Sequence, residues 1–146
     1  MIAVDTNILV YAHRDDASFH ALAEPAIRSL CNGNQRWTIP WPCVHEFLNV
    51  VTNTKVFTPS TTVALAFEQL SVWLDAPSCV TIGESSQHRS TLESLLTTSA
   101  VTGPKVHDAR IAAICLDHGV RELWSIDRDF SRFPQLKVRN PLIAAG

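Results

Sequence analysis

Several of the fourteen acidic residues in this 146-residue chain stand where solvated surface acids do not belong. The segment LWSIDRDFSRFP, Leu123 to Pro134, leaves an apolar run on Asp127 and Asp129, with Arg128 between them. Near the start, IAVDTN places Asp5 directly after three apolar residues. Both segments look like a buried strand ending on a carboxylate. Each aspartate also has an ordinary alternative, as a helix cap or an Asx turn.

Two further acids sit on apolar helical faces. In VHDARIAAICLDHG, a helical period gives Asp108 the neighbours Ile111, Ala112 and Cys115 at i+3, i+4 and i+7. A carboxylate turned toward such a face is costly unless a partner or a metal holds it. Its alternative is an N-cap, with the helix starting at Ala109. Glu46, in CVHEFLNVV, has Pro42, Cys43, Asn49 and Val50 as neighbours and no lysine or arginine to pair with. A solvated glutamate is the plain alternative there. The other nine acids lie in polar stretches, at helix ends or among charged neighbours. His107 has no second histidine on its helical face, so a histidine-based zinc site is not expected. Phosphate-loop, dinucleotide-binding and serine-hydrolase motifs are missing from the sequence.

The elements that must position these acids follow from the hydrophobic pattern. Short apolar runs predict strands at Ile2–Val4, Trp37–Pro40, Cys79–Ile82 and Leu123–Ile126, with a fifth at KVRN, residues 137–140. Helices are predicted over TNILVYA, over His20 to Leu30 with Gly33 as terminator, and from Pro42 to about Thr52. Others are predicted after a cap at Ser60 or Thr61, over Ser86 to Thr98, and over VHDARIAAICLDHG with Gly119 at its C-terminus. Strands separated by helices imply an α/β fold: a mainly parallel four- to five-stranded sheet with helices on both faces. Ligand sites of such folds lie at the carboxyl ends of the strands, where Asp5 and Asp127 are expected.

Bulk properties agree with one domain over residues 1–146. Hydrophobic residues make up 46%, and neither repeats nor a linker interrupts them. No apolar run approaches the ~18 residues of a membrane span. The N-terminus has no basic segment and carries Asp5 within its apolar stretch, so a signal peptide is not expected. Cys31, Cys43, Cys79 and Cys115 form no C-x-x-C pair and are expected to be reduced core thiols of a cytoplasmic protein.

In order and spacing, VDTNILVYA, Glu46, HDARIAAICLDHG and SIDRDF resemble the landmarks of a PIN domain, and within that group the VapC-type toxins of bacterial toxin–antitoxin pairs. The resemblance covers nearly the whole chain, although the segment from Phe57 to Thr102 carries no family motif. Ser125 stands where the late motif more often has threonine. Carried over, the resemblance implies an acidic centre of Asp5, Glu46, Asp108 and Asp127, with Asp129 in a supporting place. Thr6 and Asn7 would orient Asp5, and Ser125 would hydrogen-bond a carboxylate. The implied activity is endoribonuclease cleavage with Mg²⁺, for which Mn²⁺ can substitute. Clustered carboxylates repel one another unless a cation neutralises them, and hard oxygen donors suit these two ions.

The net charge of −2 argues against a nucleic-acid partner only at first sight. Setting the five site acids aside leaves nine acids against twelve lysines and arginines, an excess of three positive charges. Arg128 and Arg132 are candidates for RNA-backbone contact. The resemblance also implies a cognate antitoxin and a homodimer. Trp37, Trp41, Phe47, Phe67 and Trp73 are candidates for lining an antitoxin groove. Two other classes fit the sequence less well. A phosphotransferase with Asp5 as nucleophile wants a second aspartate two residues on, where this chain has Asn7. A catalytically silent PIN-fold binding module has no need of the full acid set.

Overall fold

The computed structural model describes residues 1–143. Its strands are β1 (Ile2–Val4), β2 (Trp37–Pro40), β3 (Cys79–Ile82), β4 (Glu122–Trp124) and β5 (Val138–Arg139). They form one sheet in the order β3-β2-β1-β4-β5, and every pairing is parallel. β1, β2 and β4 are buried along their whole length, as central strands covered on both faces must be. This is why IAV, WTIP and ELW carry few polar side chains. Glu122 is accommodated by hydrogen bonding to Trp124 and by ion pairs to Lys137 and Arg139.

The helices are α1 (Thr6–His13), α2 (His20–Asn32), α3 (Trp41–Val51), α4 (Val63–Leu74), α5 (His88–Ser99) and α6 (Val106–Asp117). Short 3₁₀ turns cover Gly103–Lys105 and Arg128–Arg132. α6 presents Ala109, Ile111, Ala112, Ala113, Ile114 and Cys115 to the core. It stops at Gly119, whose φ of +68° closes the helix with Gly119 N–H to Leu116 O and Val120 N–H to Cys115 O. None of the helices in the described residues is long and apolar enough to cross a membrane.

Three expectations shift by a few residues, each because a polar group has a better partner. β4 ends at Trp124 and not at Ile126, since the Ile126 N–H turns to Asn7 Oδ1 instead of continuing the ladder. Asp127 therefore lies two residues beyond the strand's direct continuation. Thr62 caps α4, not Ser60 or Thr61: its hydroxyl accepts from Leu65 N–H. The Thr61 hydroxyl is already taken by His13 and Arg14, and its N–H by Val51 O. α5 begins at His88 because Ser85 bends the preceding turn, with its hydroxyl bonded to Asp117. Gly33 follows α2 in an extended conformation, so it ends the helix without a left-handed cap.

Three aromatic candidates for a partner groove are core residues instead. Trp37, Phe47 and Trp73 are buried, Phe47 meeting Trp73 edge-on at 5.3 Å, because β2, α3 and α4 turn these rings inward. Trp41 and Phe67 are exposed. All four cysteines are free thiols, and three of them are buried.

Candidate metal centre

The sheet order reverses between β1 and β4, and a crevice opens at that point beyond the strand ends. Val4 pairs with Trp124, which puts Asp5 level with Ser125 at the mouth of the crevice. Asp5 N–H continues the ladder to Trp124 O at 2.9 Å, and Ser125 N–H to Arg139 O at 3.0 Å. A cleft of about 250 Å³ lies there, lined by Asp5, Glu46, Asp108 and Asp127 with Thr6 and Asn7. Val10, Tyr11, Val50 and Ile111 give it an apolar wall.

Asp5 is buried, and its carboxylate is fully engaged. Oδ1 caps α1 by accepting Thr6 N–H at 2.8 Å, and Oδ2 accepts the Ser125 hydroxyl at 2.7 Å. Asn7 Nδ2 bridges Asp5 Oδ2 and Ser125 Oγ, and the Cys43 thiol points at Oδ1. Burial pushes the Asp5 carboxyl above its usual range, the Ser125 and Thr6 hydrogen bonds pull it back, and the Glu46 charge pushes it up. The cap and the site place are thus compatible: one carboxylate fills both.

Glu46 reaches the cleft from α3, where Thr6 Oγ1 donates to its Oε2 at 3.0 Å. Asp127 accepts Asp129 N–H at 2.9 Å, capping the turn Arg128–Arg132, and its own N–H goes to Ser125 Oγ. That turn swings Asp129 back toward α6. Asp108 is in the first turn of α6 and is not its N-cap, because the helix starts two residues earlier at Val106. One carboxylate oxygen from each of Asp108, Asp127 and Asp129 can be chosen so that all three lie within 4.8 Å of one another.

Electrostatics ties all five acids together. Partial burial raises the Asp108 carboxyl from 3.8 to about 6, and the charges of Asp127, Asp5, Asp129 and Glu46 add to the rise. Asp129, expected in a supporting place, can bring one oxygen within 4.8 Å of Asp108 and Asp127, and Asp5 and Glu46 line the cleft with those two. Lys105, at the end of the turn before α6, pairs with Asp129. Nothing in the spacing of Lys105 and Asp129 signalled that contact. Arg128 and Arg132 are both exposed, and Arg128 lines a neighbouring groove that also touches Asp127.

A parallel α/β sheet with carboxylates gathered at its switch point is the arrangement of a PIN domain, and the PIN domain family model matches residues 2–136. The chain belongs to the PIN-domain family. It is 34% identical to ribonuclease VapC43 of Mycobacterium tuberculosis over 142 residues, 97% of this chain and 96% of that protein. The fold is also similar to that of VapBC-1 from nontypeable Haemophilus influenzae. There the TM-score is 0.68 and the identity 17%, with 98% of this chain and 100% of that one covered. A toxin–antitoxin complex from Klebsiella pneumoniae aligns with a TM-score of 0.61 at 17% identity, over 97% and 98% of the two chains.

Proposed function

We propose that the chain is a divalent-metal-dependent endoribonuclease, the toxin of a toxin–antitoxin pair acting in the cytoplasm. In this reading the whole chain, residues 1–146, is one nuclease domain. The convergence of Asp108, Asp127 and Asp129 carries it, with Asp5 and Glu46 on the same cleft. The donor set fits the ion: it is all carboxylate oxygen, hard and anionic, and suits Mg²⁺ or Mn²⁺. Asp108, Asp127 and Asp129 would hold the ion, with Asp5 and Glu46 completing the negative field. A bound divalent ion supplies acidified water and offsets charge on the phosphodiester.

The chain's own residues do the rest. Ser125, Thr6 and Asn7 fix the Asp5 carboxylate through hydrogen bonds, and Thr6 also fixes Glu46. Lys105 holds Asp129 from outside the cleft. Val10, Val50 and Ile111 keep one wall dry, which strengthens charge interactions inside. Arg128 and Arg132 are the candidates for RNA backbone contact. The name of the ribonuclease relative supports the activity, and the likeness to a toxin–antitoxin complex supports a cognate antitoxin. Val63, Leu65, Phe67 and Val72 leave exposed apolar surface on α4 for the antitoxin or a second copy of the chain.

The test is incubation of the purified chain with total RNA and Mg²⁺, with the cut ends mapped. Cleavage at defined sites is expected, lost with a chelator and restored by Mn²⁺. RNA bound but uncut with either ion would leave a binding module. Coexpression with a small neighbouring reading frame tests the pairing: a stable complex that no longer cleaves is expected.

A further inference from the structure

The acid cleft continues past its carboxylates. A second cleft of about 530 Å³ adjoins it between α3 and α6 and shares Glu46, Asp108 and Ile111 with it. The rest of its lining has a different character. His45 precedes Glu46 on α3, and His107 precedes Asp108 on α6. One helical turn further along each helix come Asn49 and Arg110. No carboxylate lines this cleft except the two it shares with the acid centre.

Beside its His45 stands Trp41, the first residue of α3. Its ring lies 6.1 Å from that of His45, with the two planes inclined at 39°. The indole also lies over Gly83, where an added Cβ would meet its Cδ1 at 3.7 Å. Trp41 is 42% exposed, whereas Trp37, Trp73 and Trp124 are 0%, 4% and 8% exposed. A large indole open to water, beside a histidine and hydrogen-bonding groups, suits a flat aromatic ligand with polar edges. A nucleobase has that form, and every base offers a face to stack.

We infer that Trp41 and His45 form a stacking platform for an unpaired base of single-stranded RNA, next to the phosphate that enters the acid centre. His107 and Asn49 meet the polar edge of that base, while the Arg110 guanidinium is held by Glu84. The inference rests on the nuclease reading for the identity of the strand. Its geometric support is the continuity of the two clefts: one chain of nucleotides can lie in both. A duplex is excluded from the platform because its bases are already stacked on each other.

Steady-state cleavage of a single-stranded RNA carrying a mapped site, with Mg²⁺, tests the platform in the full chain. Trp41→Ala should raise KM about tenfold, the loss of one stacked base, while Trp41→Phe keeps most of the affinity. Melting temperatures of both variants should stay near that of the wild type, since the indole is exposed. Because the other three tryptophans are buried, the part of the emission that a bound base can quench by stacking is that of Trp41. Single-stranded RNA should quench it saturably in the Asp108→Asn chain, and duplex RNA of the same composition should not. Unchanged KM in Trp41→Ala, or equal quenching by duplex, overturns the platform. If Trp41→Ala instead loses only binding of the small neighbouring protein, the patch is a protein contact and the inference falls. If the wild type cleaves no RNA, the nuclease reading fails separately, and the quenching titration still decides whether Trp41 receives a base.

Discussion

Replacing Asp108 with asparagine should stabilise the metal-free protein at neutral pH. The carboxyl of Asp108 is raised from 3.8 to about 6, chiefly by burial and then by the surrounding acids. At ~1.4 kcal/mol per tenfold change, a fully buried group would cost the fold ~3 kcal/mol at pH 7. Asp108 is only half-buried, and solvent screening cuts this by about half, to ~1.5 kcal/mol. For a domain of this size the relief corresponds to a rise in melting temperature of about 3–5 °C. Because the folded state holds this proton more tightly, the wild type loses stability as pH rises from about 4 to about 6. Below that window Asp108 is protonated in both states and the gain should vanish. Thermal melts of wild type and Asp108→Asn in chelator at pH 3.5, 5 and 7 measure the difference. Adding Mn²⁺ at pH 7 should raise the wild type and leave Asp108→Asn nearly unmoved, and RNA cleavage should be lost in the variant. A melting temperature several degrees lower at pH 7 would mean that Asp108 is a structural hydrogen-bond partner and would refute the reasoning. So would a gain of equal size at pH 3.5.

Other outcomes follow from single contacts. Ser125→Ala leaves the buried Asp5 carboxylate without its 2.7 Å hydroxyl donor and should lower stability by ~1–3 kcal/mol in urea unfolding; Ser125→Thr should recover most of it. Lys105→Ala frees Asp129 from a competing cation and should tighten Mn²⁺ binding in calorimetry. Its exposed ion pair contributes under ~1 kcal/mol, so melting should barely change. Thiol labelling of the native chain should modify Cys31 first, since the other three cysteines are buried and burial holds Cys79 and Cys115 at about 12. Rapid modification of all four in the native state would contradict the packing.

Much of the fold was legible because local pattern and tertiary role coincide. IAV, WTIP and CVTI are strands over the residues their apolar runs marked, and Gly119 ends α6 in the left-handed conformation its position required. A central parallel strand must be apolar on both faces, so its sequence advertises it. Glu46 and Asp108 could be singled out because helical period alone gives each acid apolar or neutral neighbours. What sequence could not supply was anything set by groups distant along the chain. Ser125 meets Asp5 across 120 positions and Thr6 meets Glu46 across 40, and no local period encodes either contact. The same competition moved the boundaries: Thr61 lost the cap to Thr62 because His13 and Arg14 claimed its hydroxyl. Asp129 comes near Asp108 and Asp127 because a 3₁₀ turn capped by Asp127 folds back toward α6. The sequence by itself singled out Asp5, Asp108 and Asp127 and the two strands that carry Asp5 and Asp127 to one edge, but it passed over buried Glu122, and Glu46 stands exposed on α3. Only the tertiary structure decided how the oxygens converge, because that depends on the crossing of β1, β4, α3 and α6, and each side chain takes whichever partner those crossings bring nearest.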